Sequence, residues 1–124
     1  MFQTLDVFRT AIAMARHAGA AQAASAQNIA NADTPGYRGV TLPAFEDTLR
    51  HPQNAMRSTR PGHLGGDPPD AFELVERRRA EDPNGNTVSL EAEMLDAVEA
   101  QRAHERALAI YRSNLTLLRT SLGT

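Results

Sequence analysis

Apolar residues in the first quarter of the chain recur at alternating steps of three and four. This 3.5-residue period is typical of a helix that pairs with another helix, and it predicts one long helix over residues 2–31. The helix-packing seam is expected to be bulky at its ends and small in its middle, so that a second helix can approach closely at Gly19. The predicted seam positions are Leu5, Phe8, Ile12, Ala15, Gly19, Gln22, Ala26 and Ile29.

A second heptad pattern predicts a helix from about residue 90 to residue 122, ending at Gly123. Ser89 is suited to the N-cap, and Glu91 and Glu93 place negative charge in the first turn, where the helix dipole favours it. The polar residues Gln101 and His104 interrupt this seam, and we expect them to fix the register of the helix pair rather than to do chemistry. The predicted seam positions are Leu90, Met94, Ala97, Gln101, His104, Leu108, Tyr111, Leu115, Leu118 and Leu122.

A sharp turn is predicted directly after the first helix. In the run Thr34-Pro35-Gly36-Tyr37, proline takes the second position of a type II turn and glycine the third. Val40 and Leu42 then alternate like a short extended segment, and residues 45–49 have the spacing of one helical turn.

Residues 50–86 lack this regularity and contain five of the seven prolines and four of the eight glycines. We expect a loop that is mobile in the free protein, with a possible short strand at 72–75 and a turn at Asn84-Gly85-Asn86. The run Arg77-Arg78-Arg79 is interpreted as a solvated loop between Glu76 and Glu81, because the net charge of −2 argues against nucleic-acid binding.

These patterns predict an all-α fold in which two long terminal helices pair as a coiled coil. Residues 1–34 and 87–124 would form one discontinuous domain, and residues 35–86 an irregular middle with short β-like segments. Large apolar residues are few, so the core of a single chain is thin. We expect such a chain to be loosely ordered alone and well ordered when neighbours cover its helices.

Residues able to do chemistry form no recognisable constellation. The chain has no cysteine, and its four histidines show no metal-ligand spacing. No catalytic residue, metal ligand or cofactor is predicted, and neither nucleic acid nor a small-molecule substrate is expected as a partner. A cleavable signal peptide and a membrane-spanning helix are likewise not predicted.

The segment that ends the first helix nevertheless resembles the signature of the bacterial flagellar rod and hook proteins. Its matching residues are Asn28, Ile29, Ala30, Asn31, Thr34, Pro35, Gly36 and Tyr37. A second segment, residues 84–94, is similar to that of the proximal rod protein FlgB family, with Asn84 and Ser89 each in place of an Asp. Its matching residues are Gly85, Asn86, Val88, Leu90, Glu93 and Met94. His63-Leu64 also fits, whereas the Pro-Asn-Val segment of the related FlgC family is missing.

The resemblance implies a non-enzymatic subunit of the proximal rod, the drive shaft that transmits torque for motility. It implies assembly with itself, other rod proteins, membrane-ring proteins and rod-base adaptors. It also implies a periplasmic place in the basal body, reached from the cytoplasm through the type III export gate without a cleaved signal. Phe8 and Ile12 fit a Phe-x-x-x-apolar pattern associated with gate recognition, as do Phe45 and Leu49. The alternative is a soluble coiled-coil adaptor or regulator that binds a partner helix.

Overall fold

A computed structural model describes residues 2–50 and 72–123. Helix α1 covers Phe2–Ala30, strand β1 Val40–Thr41, helix α2 Phe45–Arg50, strand β2 Val75–Glu76 and helix α3 Leu90–Ser121. The predicted limits of the two long helices therefore agree with the structure to within one residue. The His63-Leu64 match and most of the proline-rich middle lie outside the described residues.

The fold is mostly α, with α1 packed along α3 as the main tertiary contact. The helices are antiparallel, because Phe8 near the start of α1 meets Tyr111 near the end of α3, with their ring centroids 5.1 Å apart. At the opposite end of the pair, the Asn28 side chain reaches Glu93. Strands β1 and β2 form one small antiparallel ladder in which Val40 faces Glu76. None of the described helices is long and apolar enough to cross a membrane.

The contact between the long helices lies one residue away from the predicted seam. In α1, burial falls on Ala11, Ala18 and Ser25, where Ile12, Gly19 and Ala26 were predicted. In α3 it falls on Glu93, Ala100 and Ala107 instead of Met94, Gln101 and Leu108. Apart from Glu93, this buried line carries small side chains, because larger ones would hold the helix axes further apart.

Several predicted seam residues are consequently outside this contact. Leu5, Ile12, Ile29 and Leu122 are exposed, which corrects their assignment to the seam within one chain. Five of the larger predicted seam residues are half-buried at the edge of the contact: Phe8, Leu108, Tyr111, Leu115 and Leu118. Ile12 and Leu108 line an open apolar groove of about 430 Å³ between the helices, with Ala15, His104 and Tyr111.

Gly19 was predicted to allow close helix packing, and the structure shows otherwise. It is exposed, and a Cβ built on it meets no atom within 4 Å. Gly19→Ala should therefore raise the free energy of unfolding by about 1 kcal/mol, since Gly in an exposed helix interior is weaker than Ala by that amount. Urea unfolding followed by circular dichroism measures the change.

Gly36→Ala is the matched control for this substitution. Gly36 has a φ of +71°, and a Cβ there also meets no atom within 4 Å. Because an L side chain in the left-handed region costs roughly 1–2 kcal/mol, this variant should lose stability. A loss of stability in Gly19→Ala would instead show that another helix packs at that position in the free chain.

Candidate functional site

Asn28, in the last full turn of α1, is fully buried. Its side-chain nitrogen donates to the carbonyl of Val40 at 2.8 Å and to Glu93 Oε2 at 3.1 Å. Its Oδ1 accepts from the backbone nitrogen of Val40 at 2.9 Å and from the Tyr37 hydroxyl at 3.2 Å. One side chain thus uses both donors and both acceptor sites of its amide. It joins α1, β1 and α3 to the turn at residues 34–37, which we call the exit turn.

Asn86, in the segment that precedes α3, also joins distant parts of the chain through its side chain and is also fully buried. Its Nδ2 lies within hydrogen-bond distance of three carbonyls that follow α1: Asn31 at 3.0 Å, and Ala32 and Thr34 at 2.8 Å each. Its Oδ1 accepts from the nitrogen of Val88 at 2.8 Å. These carbonyls lie in the turn that follows the helix, so Asn86 binds the chain leaving α1 to a distant part of the sequence.

The exit turn has the predicted geometry and rests against this second segment. Tyr37 nitrogen donates to the carbonyl of Thr34 at 3.3 Å, and Gly36 has the positive φ that a type II turn requires. Gly36 nitrogen donates to the carbonyl of Asn84 at 3.0 Å. Gly85 also has a positive φ, and a Cβ built there would lie 3.4 Å from the Gly36 Cα. Two glycines therefore allow the two turns to touch.

Backbone bonds continue this junction toward the small sheet. Thr87 nitrogen donates to the carbonyl of Tyr37 at 3.1 Å, and the Thr87 hydroxyl accepts from Gly39 nitrogen at 2.9 Å. Arg77 nitrogen in turn donates to the carbonyl of Gly39 at 2.7 Å. Residues 72–88 are thereby bound to residues 36–41, so this part of the middle is ordered and not the free loop that its composition predicted.

An ion cluster closes the junction on the α3 side. The Glu93 side chain is only 1% exposed, and its Oε1 lies 2.6 Å from Arg77 Nη1. Arg77 also pairs with Asp96 and donates to the Thr41 hydroxyl at 3.0 Å. Arg79 Nη2 lies 3.3 Å from the same Asp96 carboxylate. Each carboxylate therefore has a cation, as burial of a charge demands.

The arginine run was interpreted as solvated, and this is wrong for two of its three members. Arg77 and Arg79 pair with the α3 carboxylates, whereas Arg78 is exposed. Glu76 and Glu81, the expected neighbours of the run, instead pair with Arg38. The available signal was Glu93 and Asp96 at a spacing of three, which puts both carboxylates on one side of a helix.

We call this junction the polar clasp, and it joins the two segments that the sequence singled out separately. Its members are Asn28, Tyr37, Arg77, Asn86, Thr87 and Glu93. Within the signature, the Asn31 side chain makes only local bonds, donating to the carbonyl of Gln27 and accepting from the Thr34 hydroxyl. Ile29, Ala30, Pro35, Leu90 and Met94 are exposed, and Val88 is buried beside the clasp. Ser89 occupies the N-cap but makes no side-chain capping bond.

The remaining sequence-predicted residues lie away from the clasp. Phe8 packs edge-on against Tyr111, and Ile12 borders the groove between the helices. His17 donates from Nε2 to the carbonyl of Pro43 and contacts the rings of Phe45 and Phe72. These contacts hold the chain on either side of α2 against α1.

The clasp is suited to holding backbone geometry. Among the described residues, no group of histidine and carboxylate side chains could hold a metal ion. Among the residues that the structure describes, Arg79 Nη1 is the one buried side-chain polar atom without a hydrogen-bond partner. It lies 3.9 Å from Glu93 Oε1. Saturated polar groups of this kind rigidify a fold and specify a single arrangement.

Comparison with known proteins identifies the segment that supplies Asn28 and Tyr37 to the clasp. Residues 10–38 match the family model described as flagella basal body rod protein. Comparison with curated protein sequences gives no significant match. The matched region covers most of α1 and runs through Asn28 to the end of the exit turn. Over residues 10–38, about a quarter of its length, the chain is therefore similar to the flagellar basal body rod proteins.

Proposed function

We propose that this chain is a subunit of the proximal rod, of the FlgB type, and that it self-assembles with other axial proteins into the torque-transmitting shaft. The FlgB assignment is supported by residues 84–94, the segment that resembles that family. Two of its members, Asn86 and Glu93, bond directly to the segment of the general rod signature. The resemblance is therefore carried by residues that act together.

The observation that carries the assembly proposal is that small apolar side chains are buried while many large ones are exposed. The buried apolar residues of the described chain are five alanines and Val88. Large apolar side chains on the long helices remain exposed, among them Leu95 at 72%, Leu117 at 64% and Met94 at 58%. Contiguous exposed apolar surface marks interaction sites, so these helices are suited to burial against neighbouring subunits.

Torque transmission needs stiff elements whose relative positions cannot slip. Two antiparallel helices of about thirty residues supply the stiffness, and the polar clasp fixes where the chain leaves α1. We propose that residues 1–34 and 87–124 act as one discontinuous rod-core unit. Residues 35–86 would be the segment between its halves, bound to them through the clasp at 72–86.

The resemblance also supports a route and a set of neighbours. We propose export through the type III gate without a cleaved signal, and a place in the periplasmic rod beside membrane-ring and rod-base adaptor proteins. Phe8 and Ile12 remain the proposed gate-recognition pair. Because Phe8 packs on Tyr111 in the folded chain, such recognition would act on the chain before α1 and α3 pair.

Deletion of the gene in its host tests this function. We expect cells without flagella, whose isolated basal bodies retain membrane rings but lack a rod in electron micrographs. Normal rods in the deletion strain, with no second copy of the gene present, would overturn the proposal. They would favour the soluble coiled-coil adaptor instead.

Replacement of Pro35-Gly36 by Ala-Ala separates these two functions in the living cell. The pair sets the exit turn, and Gly36 lies directly beneath the 84–86 turn. In a rod subunit, loss of this turn should abolish motility in soft agar, because the clasp could no longer fix the chain at the end of α1. An adaptor that binds through a helix face needs no such turn and should keep working.

Asp33→Ala is the control for the double replacement. Asp33 is exposed and lies in the same loop, but it is not one of the eight residues that match the rod and hook signature. Swimming should be normal in this strain. Equal motility of the Ala-Ala strain, with the protein present in basal bodies, would contradict the proposed role of the turn.

A further inference from the structure

Charge is divided along the length of the helix pair. The half that contains residues 2–16 and 102–121 carries six arginines and two carboxylates, a net charge of +4. We call it the basic half. Its arginines are all exposed: Arg9, Arg16, Arg102, Arg106, Arg112 and Arg119.

The opposite half, residues 17–49 and 72–101, carries eleven carboxylates and four arginines, a net charge of −7. We call it the acidic half. Arg77 and Arg79 form ion pairs with Glu93 and Asp96. Arg38 pairs with Glu76 and Glu81. Exposed carboxylates such as Glu73 and Glu99 therefore determine the field on this half.

The two halves cannot neutralise each other within one molecule. The 32 residues of α3 span about 48 Å at 1.5 Å per residue. The screening length in physiological salt is about 8 Å, so charges toward the two ends of the pair do not interact across the chain, and only those near the boundary between the halves do. A neighbouring molecule can bring complementary charge to each half.

We infer that the basic half of one copy docks against the acidic half of the next copy, in head-to-tail order. Such a contact joins two different surfaces and leaves one half of each end molecule open. Repeated in head-to-tail order, such contacts extend into an open polymer unless the rotation between copies closes a ring. The inference rests on the proposed function and deepens it by assigning the surfaces that meet and the polarity of the assembly.

Sedimentation velocity of the purified chain at increasing concentration tests the contact. We expect species larger than a dimer in about 0.1 M NaCl, and an association constant at least about tenfold lower in about 1 M NaCl, where screening is nearly complete. Association that stops at a dimer would overturn the head-to-tail order. Association that strengthens with salt would assign the contact to the apolar faces, and a monomer at every concentration would assign the charged surfaces to a different protein.

Two matched charge reversals separate this contact from a simple net-charge effect. Arg112→Glu and Arg78→Glu both alter an exposed arginine and both change the total charge by the same amount. Arg112→Glu weakens the basic half and should lower the association constant. Arg78→Glu makes the acidic half more acidic and should leave association unchanged or strengthen it. Equal weakening by both variants would overturn the inference, and helix content by circular dichroism verifies that both fold.

Failure of this contact and failure of the rod function give different results. If the deletion strain lacks rods while Arg112→Glu associates like the unaltered chain, the head-to-tail contact is wrong and the rod role stands. If the deletion strain builds normal rods, the rod role itself is wrong.

Discussion

Arg77→Ala is expected to lower the free energy of unfolding by about 3–5 kcal/mol, because it leaves a buried carboxylate without its cation. Glu93 is 1% exposed, and Arg77 is the closest cation to its Oε1. The same guanidinium bonds to Asp96 and Thr41. For a chain whose core is mostly alanine, a loss of this size removes much of the total stability. Urea unfolding followed by circular dichroism measures it.

Arg78→Ala is the control that the sequence itself provides. Arg78 lies between two clasp arginines but is exposed, so its removal should change stability by less than about 0.5 kcal/mol. Arg77→Lys should be intermediate, because a single ammonium cannot reproduce the fork of a guanidinium. Equal effects of Arg77→Ala and Arg78→Ala would mean that the run is solvated after all.

Asn28→Ala is expected to cost about 3–5 kcal/mol, because a buried polar group that loses its partner costs roughly 1–3 kcal/mol. Four groups lose a bond together: the Glu93 carboxylate, both backbone groups of Val40 and the Tyr37 hydroxyl. The β1 segment would also lose its attachment to α1. We expect a lower urea midpoint and, in cells, a loss of motility.

Asn31→Ala is the matched control within the same signature. Its side chain donates to the carbonyl of Gln27 in an exposed position, and its Oδ1 accepts from the Thr34 hydroxyl only at 3.4 Å. The expected loss is below about 1 kcal/mol, since water replaces an exposed hydrogen bond. Similar losses for both asparagines would show that the amide of Asn28 is not the centre of the clasp.

The fold class and the element limits could be predicted because they depend on local properties. Alternating apolar steps define α1 and α3, and glycines with positive φ at 36, 85 and 123 mark the turns and the helix end. Proline in the 34–37 run fixes the exit turn through its own ring. Each of these signals acts within a few residues, so the linear sequence contains it completely.

Half of the candidate site could also be found, because the resemblance selected the right stretches of chain. It did not distinguish the buried Asn28 from the half-buried Asn31, since both are the same residue type in one motif. Arg77 was missed because its partner Glu93 is sixteen residues away in sequence. The neighbouring Glu76 and Glu81 suggested that the Arg77 side chain is solvated. Its ion pair with the distant Glu93 carboxylate instead holds it in a partly buried position.

The helix-packing line shows the same limit in apolar residues. A heptad pattern identifies an apolar side of a helix that is wide enough to contain both the Ala11 line and the Ile12 line. Only the paired helices decide between them, because the narrow gap admits alanine and displaces isoleucine to the edge. The larger side chains, which gave the clearest sequence signal, are the ones left exposed.

The sequence by itself determined two long helices and a sharp exit turn, and it singled out two segments by their resemblance to rod proteins, because periodicity, ring constraints and motif spacing are local. The tertiary structure alone decided that these segments meet, that Arg77 neutralises a buried Glu93, and that alanines line the helix contact. These outcomes depend on which distant groups share a small volume, where burial makes an unpaired charge or an oversized side chain costly.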